Sequence, residues 1–401
     1  MQQNLPNREN CTGCAACYNS CAHGAITMQE DKEGFLIPVV NESKCIDCNL
    51  CTKKCPVINI PQFEETHKKI YAAYNLNKEQ HQKSASGGLF SAFANYFYQL
   101  ENGVVCASAF DENLNLKIKT STCKEDLKQL RGSKYVQSEP GQIYKNIRKL
   151  LLEDKQVFFL GTPCQVAGLR SYLGKEYQNL FTIDLVCHGV PSPRLFKSYL
   201  KVIGVSDKQE YENYYFRNQN NSVYFTNSVK PKDGKSWDIP REKHSYICAY
   251  LNGWIHRESC YNCHFTGEHR QGDCTICDFW GILSGKTPFE GKVSMGVSMV
   301  MTNTEKGKAM FDKIKNQLYF EEKTYEDAII DNHNLIRPDA RPKERDFIYN
   351  ELIKLSPCDF MRKYGCRLYV PVPIWKRVIN KMKSILLKNK QQLAKSQKTL
   401  S

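Results

Sequence analysis

Cys11-Thr12-Gly13-Cys14-Ala15-Ala16-Cys17-Tyr18-Asn19-Ser20-Cys21 and, further on, Cys45-Ile46-Asp47-Cys48-Asn49-Leu50-Cys51-Thr52-Lys53-Lys54-Cys55-Pro56 carry the decisive pattern in this chain. Both runs read C-x2-C-x2-C-x3-C. Three thiolates at this spacing wrap a short loop around one face of a 4Fe-4S cube, while the fourth begins the next helical turn and points to the other cube. The rule groups Cys11, Cys14, Cys17 and Cys55 in one cluster and Cys45, Cys48, Cys51 and Cys21 in the other. Ala22 stands where Pro56 closes the second run; this loosens a turn and removes no ligand. Zinc sites usually draw four ligands as two pairs, a pattern these runs do not have.

The chain has 19 cysteines, and its start, Met1 to Asn10, is polar with no apolar signal region. The reducing cytosol keeps thiols free unless metals or catalysis use them, so clusters explain the cysteines better than a disulfide framework. No apolar run approaches the roughly 18 residues that span a bilayer. A cytoplasmic protein is expected. The formal charge of +14 is local: Lys376, Arg377, Lys381, Lys383, Lys388, Lys390, Lys395 and Lys398 lie in a tail from Val370 that has no acidic residue. No nucleic-acid binding is expected from so uneven a distribution. Trp375 to about Lys395 reads as a basic amphipathic helix, suited to peripheral contact with the inner face of a membrane or with another protein.

At 401 residues the chain exceeds one ordinary core. Cysteine density falls after Pro56, and Val57 to Lys69 reads as a linker. The expected division is 1–62, a two-cluster domain; 63–150 and 151–345, the two parts of a larger α/β region; and 346–401, the basic tail. The segments 89–100, 144–152 and 305–318 have helical spacing, and 104–110 reads as a strand. Two strand-turn-helix units follow one another: 156–160 runs through Gly161-Thr162-Pro163-Cys164 into a helix, and 180–186 through Cys187-His188-Gly189-Val190-Pro191 into another. Residues 205–255, rich in Asn and aromatics, suggest an antiparallel excursion.

Cys164 and Cys187 each follow a strand, and in an open α/β sheet such positions converge at the carboxyl edge, where ligands bind. Together with Cys260 and Cys263 they would form an all-cysteine site for a third 4Fe-4S cluster. By spacing alone Cys260, Cys263, Cys274 and Cys277 make C-x2-C-x10-C-x2-C, a zinc-ribbon pattern. A nucleophilic Cys164, activated by a helix start, is a further reading, although no oriented base can be named. Ser84-Ala85-Ser86-Gly87-Gly88 precedes a helix, and small residues there let backbone N–H groups approach an anion. Arg131-Gly132-Ser133-Lys134-Tyr135 adds two cations suited to a pyrophosphate or a flavin ring. Each also reads as an ordinary cap or a solvated loop.

Residues 1 to about 60 resemble bacterial two-cluster ferredoxins. The blocks Ser84–Gly88, Arg131–Tyr135, Gly161–Gly168, Asp184–Pro191 and Gly272–Gly281 together resemble the beta subunit of coenzyme F420 hydrogenase/dehydrogenase, in its form with a fused N-terminal ferredoxin domain, over residues 8 to 345. The resemblance implies an α+β ferredoxin-like two-cluster domain followed by a larger α/β flavin and iron-sulfur domain. It also implies FAD, with Ser84, Ser86, Gly87, Gly88, Arg131, Ser133, Lys134, Tyr135 and His188 as contacts, and a third cluster on Cys164, Cys187, Cys260 and Cys263. Cys274 and Cys277 depart from the family pattern and leave local ligand exchange or zinc open.

A flavin joins one-electron carriers to hydride chemistry. The expected activity is electron transfer between a redox partner protein such as ferredoxin and a small-molecule hydride acceptor or donor. A non-catalytic electron-transfer subunit or adaptor is the alternative, and the residues name no catalytic acid or base.

Overall fold

Each cysteine run turns into a short helix, Ala16–Ser20 in the first and Leu50–Lys53 in the second, and the two helices contact each other. In this computed structural model, the described residues are 5–61, 66, 68–206, 208–217 and 226–365. The tail helix expected at Trp375 to Lys395 lies outside them. The described residues fall in one compact unit, Met1–Cys366.

Between the cysteine runs lies an antiparallel hairpin, β1 (Ile26–Glu30) and β2 (Leu36–Val40). The larger region is built on an eight-stranded sheet. Its strands are β3 (Lys69–Asn75), β4 (Gly103–Phe110), β5 (Leu116–Ser121), β6 (Gln156–Gly161) and β7 (Leu180–Leu185), and, after the excursion, β11 (Cys274–Asp278), β12 (Ser298–Thr302) and β13 (Leu318–Lys323). β8 (Tyr211–Tyr215), β9 (Ser228–Pro231) and β10 (Trp237–Asp238) form a separate three-stranded antiparallel sheet within the expected excursion. The order in the large sheet is β13-β3-β12-β11-β7-β6-β4-β5. Its centre, β11-β7-β6-β4, is parallel, and the strands on both flanks pair antiparallel.

The central strands read as unbroken apolar runs because both faces are covered. Val105 and Phe158 pack with the helix Leu89–Tyr98 on one face. Val104, Val157 and Phe159 pack on the other with Ile147 of the helix Ile143–Leu152 and with Val166 and Leu169 of the helix Pro163–Leu173. Cys14 and Ala16 join this second layer, so the first cysteine loop is packed against the sheet's helices. The helix expected over 305–318 stops at Ile314, and Leu318 begins β13.

The β1–β2 turn is tied to the larger region. Arg194 donates to Glu30 Oε2 at 2.8 Å and to the Asp31 carbonyl at 2.7 Å, and Arg345 donates to Glu33 Oε2 at 2.6 Å. No helix among the described residues is long and apolar enough to cross a membrane.

Candidate iron-sulfur and cofactor site

In the two cysteine loops, Gly13 and Ala15 have φ of 68° and 63°, and the matching Asp47 and Asn49 have 52° and 58°. Alternating left-handed residues turn successive N–H groups toward one side, the concavity that binds anions such as cluster sulfides. Cys11, Cys14, Cys17 and Cys55 line one small cavity with apolar Leu5 and Met28. Cys21 and Cys51 share a packing cluster with Cys17 and Ile26. Cys11, Cys14, Cys17 and Cys55 are thus neighbours around one cavity, and Cys17 also packs with Cys21 and Cys51. The first group is buried, while Cys48 is exposed.

Burial raises the Cys14 thiol far above its ordinary value, and the neighbouring Cys17, Cys55 and Cys164 push it further. Such a set stays protonated unless a cation replaces the protons. Among the described residues, no three His, Cys, Asp or Glu side chains converge where one bare ion would bind. A cube with its own sulfides is a larger body, and its four thiolates stand around it.

Cys164 follows β6 and Cys187 follows β7, neighbours in the sheet. Burial raises Cys187 to about 12, with Cys164 and Cys263 adding to it, and raises Cys263 to about 11, with Cys164 adding. Cys260 is raised by burial, then by Cys187, Cys263 and Cys164. These four thiols therefore gather at the carboxyl edge. Cys164 stands at a helix start, yet its pKa rises, because burial outweighs its Thr162 contact and the charge of Arg257. This removes the basis for an activated nucleophile there.

Cys274 and Cys277 lie in β11, and three residues apart on a strand they point to opposite faces. Cys274 packs in the layer of Val300 and Phe311, and Cys277 reaches Met299 Sδ at 4.0 Å in the other layer. They cannot close a zinc ribbon together.

Beside the four thiols opens a cavity of about 270 Å³. Ser84, Ser86, Gly88, Arg131, Ser133, Lys134, Tyr135 and His188 line it. Gly87 stands behind the lining: its N–H donates to Ser298 Oγ at 2.9 Å, and a Cβ there would sit 2.3 Å from the Ala73 carbonyl. It lets the turn close on β3 and β12 rather than contacting a ligand. Arg131 Nε is buried with no hydrogen-bond partner among the described residues, an orphaned donor that suits an anion. Lys134 turns inward to the Leu130 and Arg131 carbonyls at 2.9 and 3.0 Å, and burial, then the charge of Arg131, lowers it to about 7. Burial holds His188 below its ordinary value.

Sequence reasoning missed Arg217. It forms a two-bond pair with Asp278, at 3.1 and 2.8 Å, donates to the Ala85 carbonyl at 2.7 Å and to the Tyr135 hydroxyl at 3.0 Å. One buried guanidinium thus joins the Ser84–Gly88 turn, the Arg131–Tyr135 loop and the end of β11. Its position beside the Asn-rich stretch of the excursion hid it.

Paired cysteine loops joined to an α/β sheet that has thiols and a cavity at its carboxyl edge are the arrangement of an iron-sulfur protein. Residues 154–328 match the family model for the C terminus of the coenzyme F420 hydrogenase/dehydrogenase beta subunit, and residues 10–59 match that of the 4Fe-4S dicluster domain. The chain thus carries a segment that matches the C-terminal domain of that beta subunit, with a segment that matches a dicluster domain on its N-terminal side.

A curated relative, the coenzyme F420-dependent sulfite reductase of Methanocaldococcus jannaschii, is 24% identical over 324 residues, 78% of this chain and 46% of that protein. The chain thus spans about half the length of that relative. A solved structure, the F420-reducing [NiFe] hydrogenase complex from Methanosarcina barkeri, aligns with a TM-score of 0.41 at 19% identity, over 76% of this chain and 94% of that one.

Proposed function

We propose that the protein is an FAD-containing oxidoreductase that passes electrons between a one-electron donor such as ferredoxin and a two-electron hydride acceptor, coenzyme F420 or another small organic molecule. Cys11, Cys14, Cys17 and Cys55 would hold one 4Fe-4S cluster, Cys21, Cys45, Cys48 and Cys51 a second, and Cys164, Cys187, Cys260 and Cys263 a third. FAD, when bound, supplies the exchange between one-electron and hydride chemistry.

One observation carries the reading: the three thiol groups and the cavity adjoin in series. Cys48 is exposed, Cys14 lies within electrostatic reach of Cys164, and Cys187 both neighbours Cys164 and lines the cavity. The orphaned Arg131 Nε and the small-residue turn at Ser84 to Gly88 would hold the pyrophosphate. Arg217 keeps these two segments together.

The test is reconstitution of the purified chain with iron, sulfide and FAD. About twelve irons per chain, retained flavin, and bleaching of the cluster absorption when the flavin is photoreduced are expected. Retained flavin with unbleached clusters would reject the relay.

A further inference from the structure

Most of the buried arginines face a carboxylate. Arg170 is paired with Glu176 and Asp273, Arg217 with Asp278, Arg270 with Asp184 and Arg345 with Glu33. Arg257 is different. It is 2% exposed, and its hydrogen bonds all go to neutral groups: Nε to the Cys11 carbonyl at 2.7 Å, Nη1 to Gln137 Oε1 at 2.9 Å and Nη2 to the Leu36 carbonyl at 3.0 Å. Its remaining face lies on the Phe35 ring, 5.2 Å from the centroid. No carboxylate among the described residues pairs with it.

A buried cation without an anion is strongly disfavoured, so an uncompensated guanidinium asks what negative charge it was placed to meet. Two observations answer. A Cβ on Gly13 would stand 2.8 Å from Arg257 Nη1, which puts the cation directly behind the loop from Cys11 to Cys14. The Arg257 carbonyl also accepts from the N–H of Cys260, a member of the third thiol group, at 2.9 Å. Arg257 therefore adjoins two thiol groups that become anionic once metallated.

We propose that Arg257 is the counter-charge shared by the buried cluster of the dicluster domain and the third cluster, and that it raises the reduction potentials of both. The inference rests on the cluster assignment above. Reduction adds one electron, and so one negative charge, to a cluster; a fixed cation nearby favours the reduced form and takes up no proton. The cluster of Cys45, Cys48 and Cys51, with an exposed ligand, is screened by water and feels the cation least. Arg257 is thus a positioning residue, acting on the electrons through the clusters.

The experiment is a mediator-buffered redox titration of the reconstituted full-length chain, followed by electron paramagnetic resonance, with iron counted in each sample. In Arg257→Gln, the reduced-to-oxidised ratio of the buried cluster and of the third cluster should fall at least tenfold at a fixed potential, about 59 mV for a one-electron couple. The exposed cluster should move less. Gln137→Glu provides the second arm, because a carboxylate beside Nη1 neutralises the cation while Arg257 stays in place, and the same downward shift is expected even where Arg257→Gln fails to hold iron. Iron-replete Gln137→Glu with unmoved potentials overturns the proposal. Wild-type protein that binds no iron overturns the cluster assignment instead.

Discussion

Cys187 and Cys277 are both half-buried thiols at the cavity wall, yet their neighbours differ. Cys187 is raised by Cys164 and Cys263 beyond the effect of burial, whereas Cys277, after burial, feels only Asp278 and Arg270. Cys187→Ser should therefore lose about four of roughly twelve irons, while Cys277→Ala and Cys274→Ala keep all of them. Iron and sulfide analysis of the reconstituted variants checks this, and loss of iron from Cys274→Ala would reverse the assignment. Arg217 yields a second expectation. Removing one partner of a buried ion pair leaves an unpaired charge, at a cost of about 3–5 kcal/mol. Asp278→Asn should lower stability on that scale and release flavin, read by denaturant titration and by flavin fluorescence after gel filtration.

At the scale of elements, the helix Pro163–Leu173 does two things at once. Its first turn carries Cys164 at the sheet edge, and its middle lies against the first cysteine loop. Gly168 makes that approach possible: a Cβ there would meet the Tyr144 hydroxyl at 3.0 Å and Cys14 Sγ at 3.2 Å. Gly168→Val should cost about 1–3 kcal/mol by overpacking and push the helix away from Cys14. A thermal melt checks the first part, and slower electron transfer from the dicluster domain in a stopped-flow mixing experiment checks the second. The strand-turn-helix plan around Cys164 and Cys187 was legible in the sequence because apolar runs of strand length met Gly and Pro. β11 was not. Its Cys-Thr-Ile-Cys-Asp has the spacing of a metal chelate, and only the sheet shows that alternate residues face opposite layers.

On the scale of the whole molecule, charged contacts at the β1–β2 turn hold the dicluster domain to the larger region. Burial pushes Asp31 upward, but N–H groups of Phe35 and Glu33 and the Arg8 guanidinium outweigh it and hold the carboxyl below its usual range. A carboxylate depressed in the folded state contributes stability that is present above its ordinary value near 4 and fades as acid protonates it. Melting temperature should therefore be flat near neutrality and fall as pH drops below about 4. Asp31→Asn should flatten the part of that fall due to this group. The amino-acid order by itself determined the eight-cysteine repeat, the α/β alternation and the small-residue and basic segments, since local spacing is enough to bend a loop around a cube or to start a helix. Only the tertiary structure decided which thiols share a neighbourhood, that Gly87 packs behind the cavity, and that Arg217 and Arg257 matter. Each of these depends on residues brought together from distant parts of the chain by the sheet, and a buried charge takes its meaning from the groups that surround it.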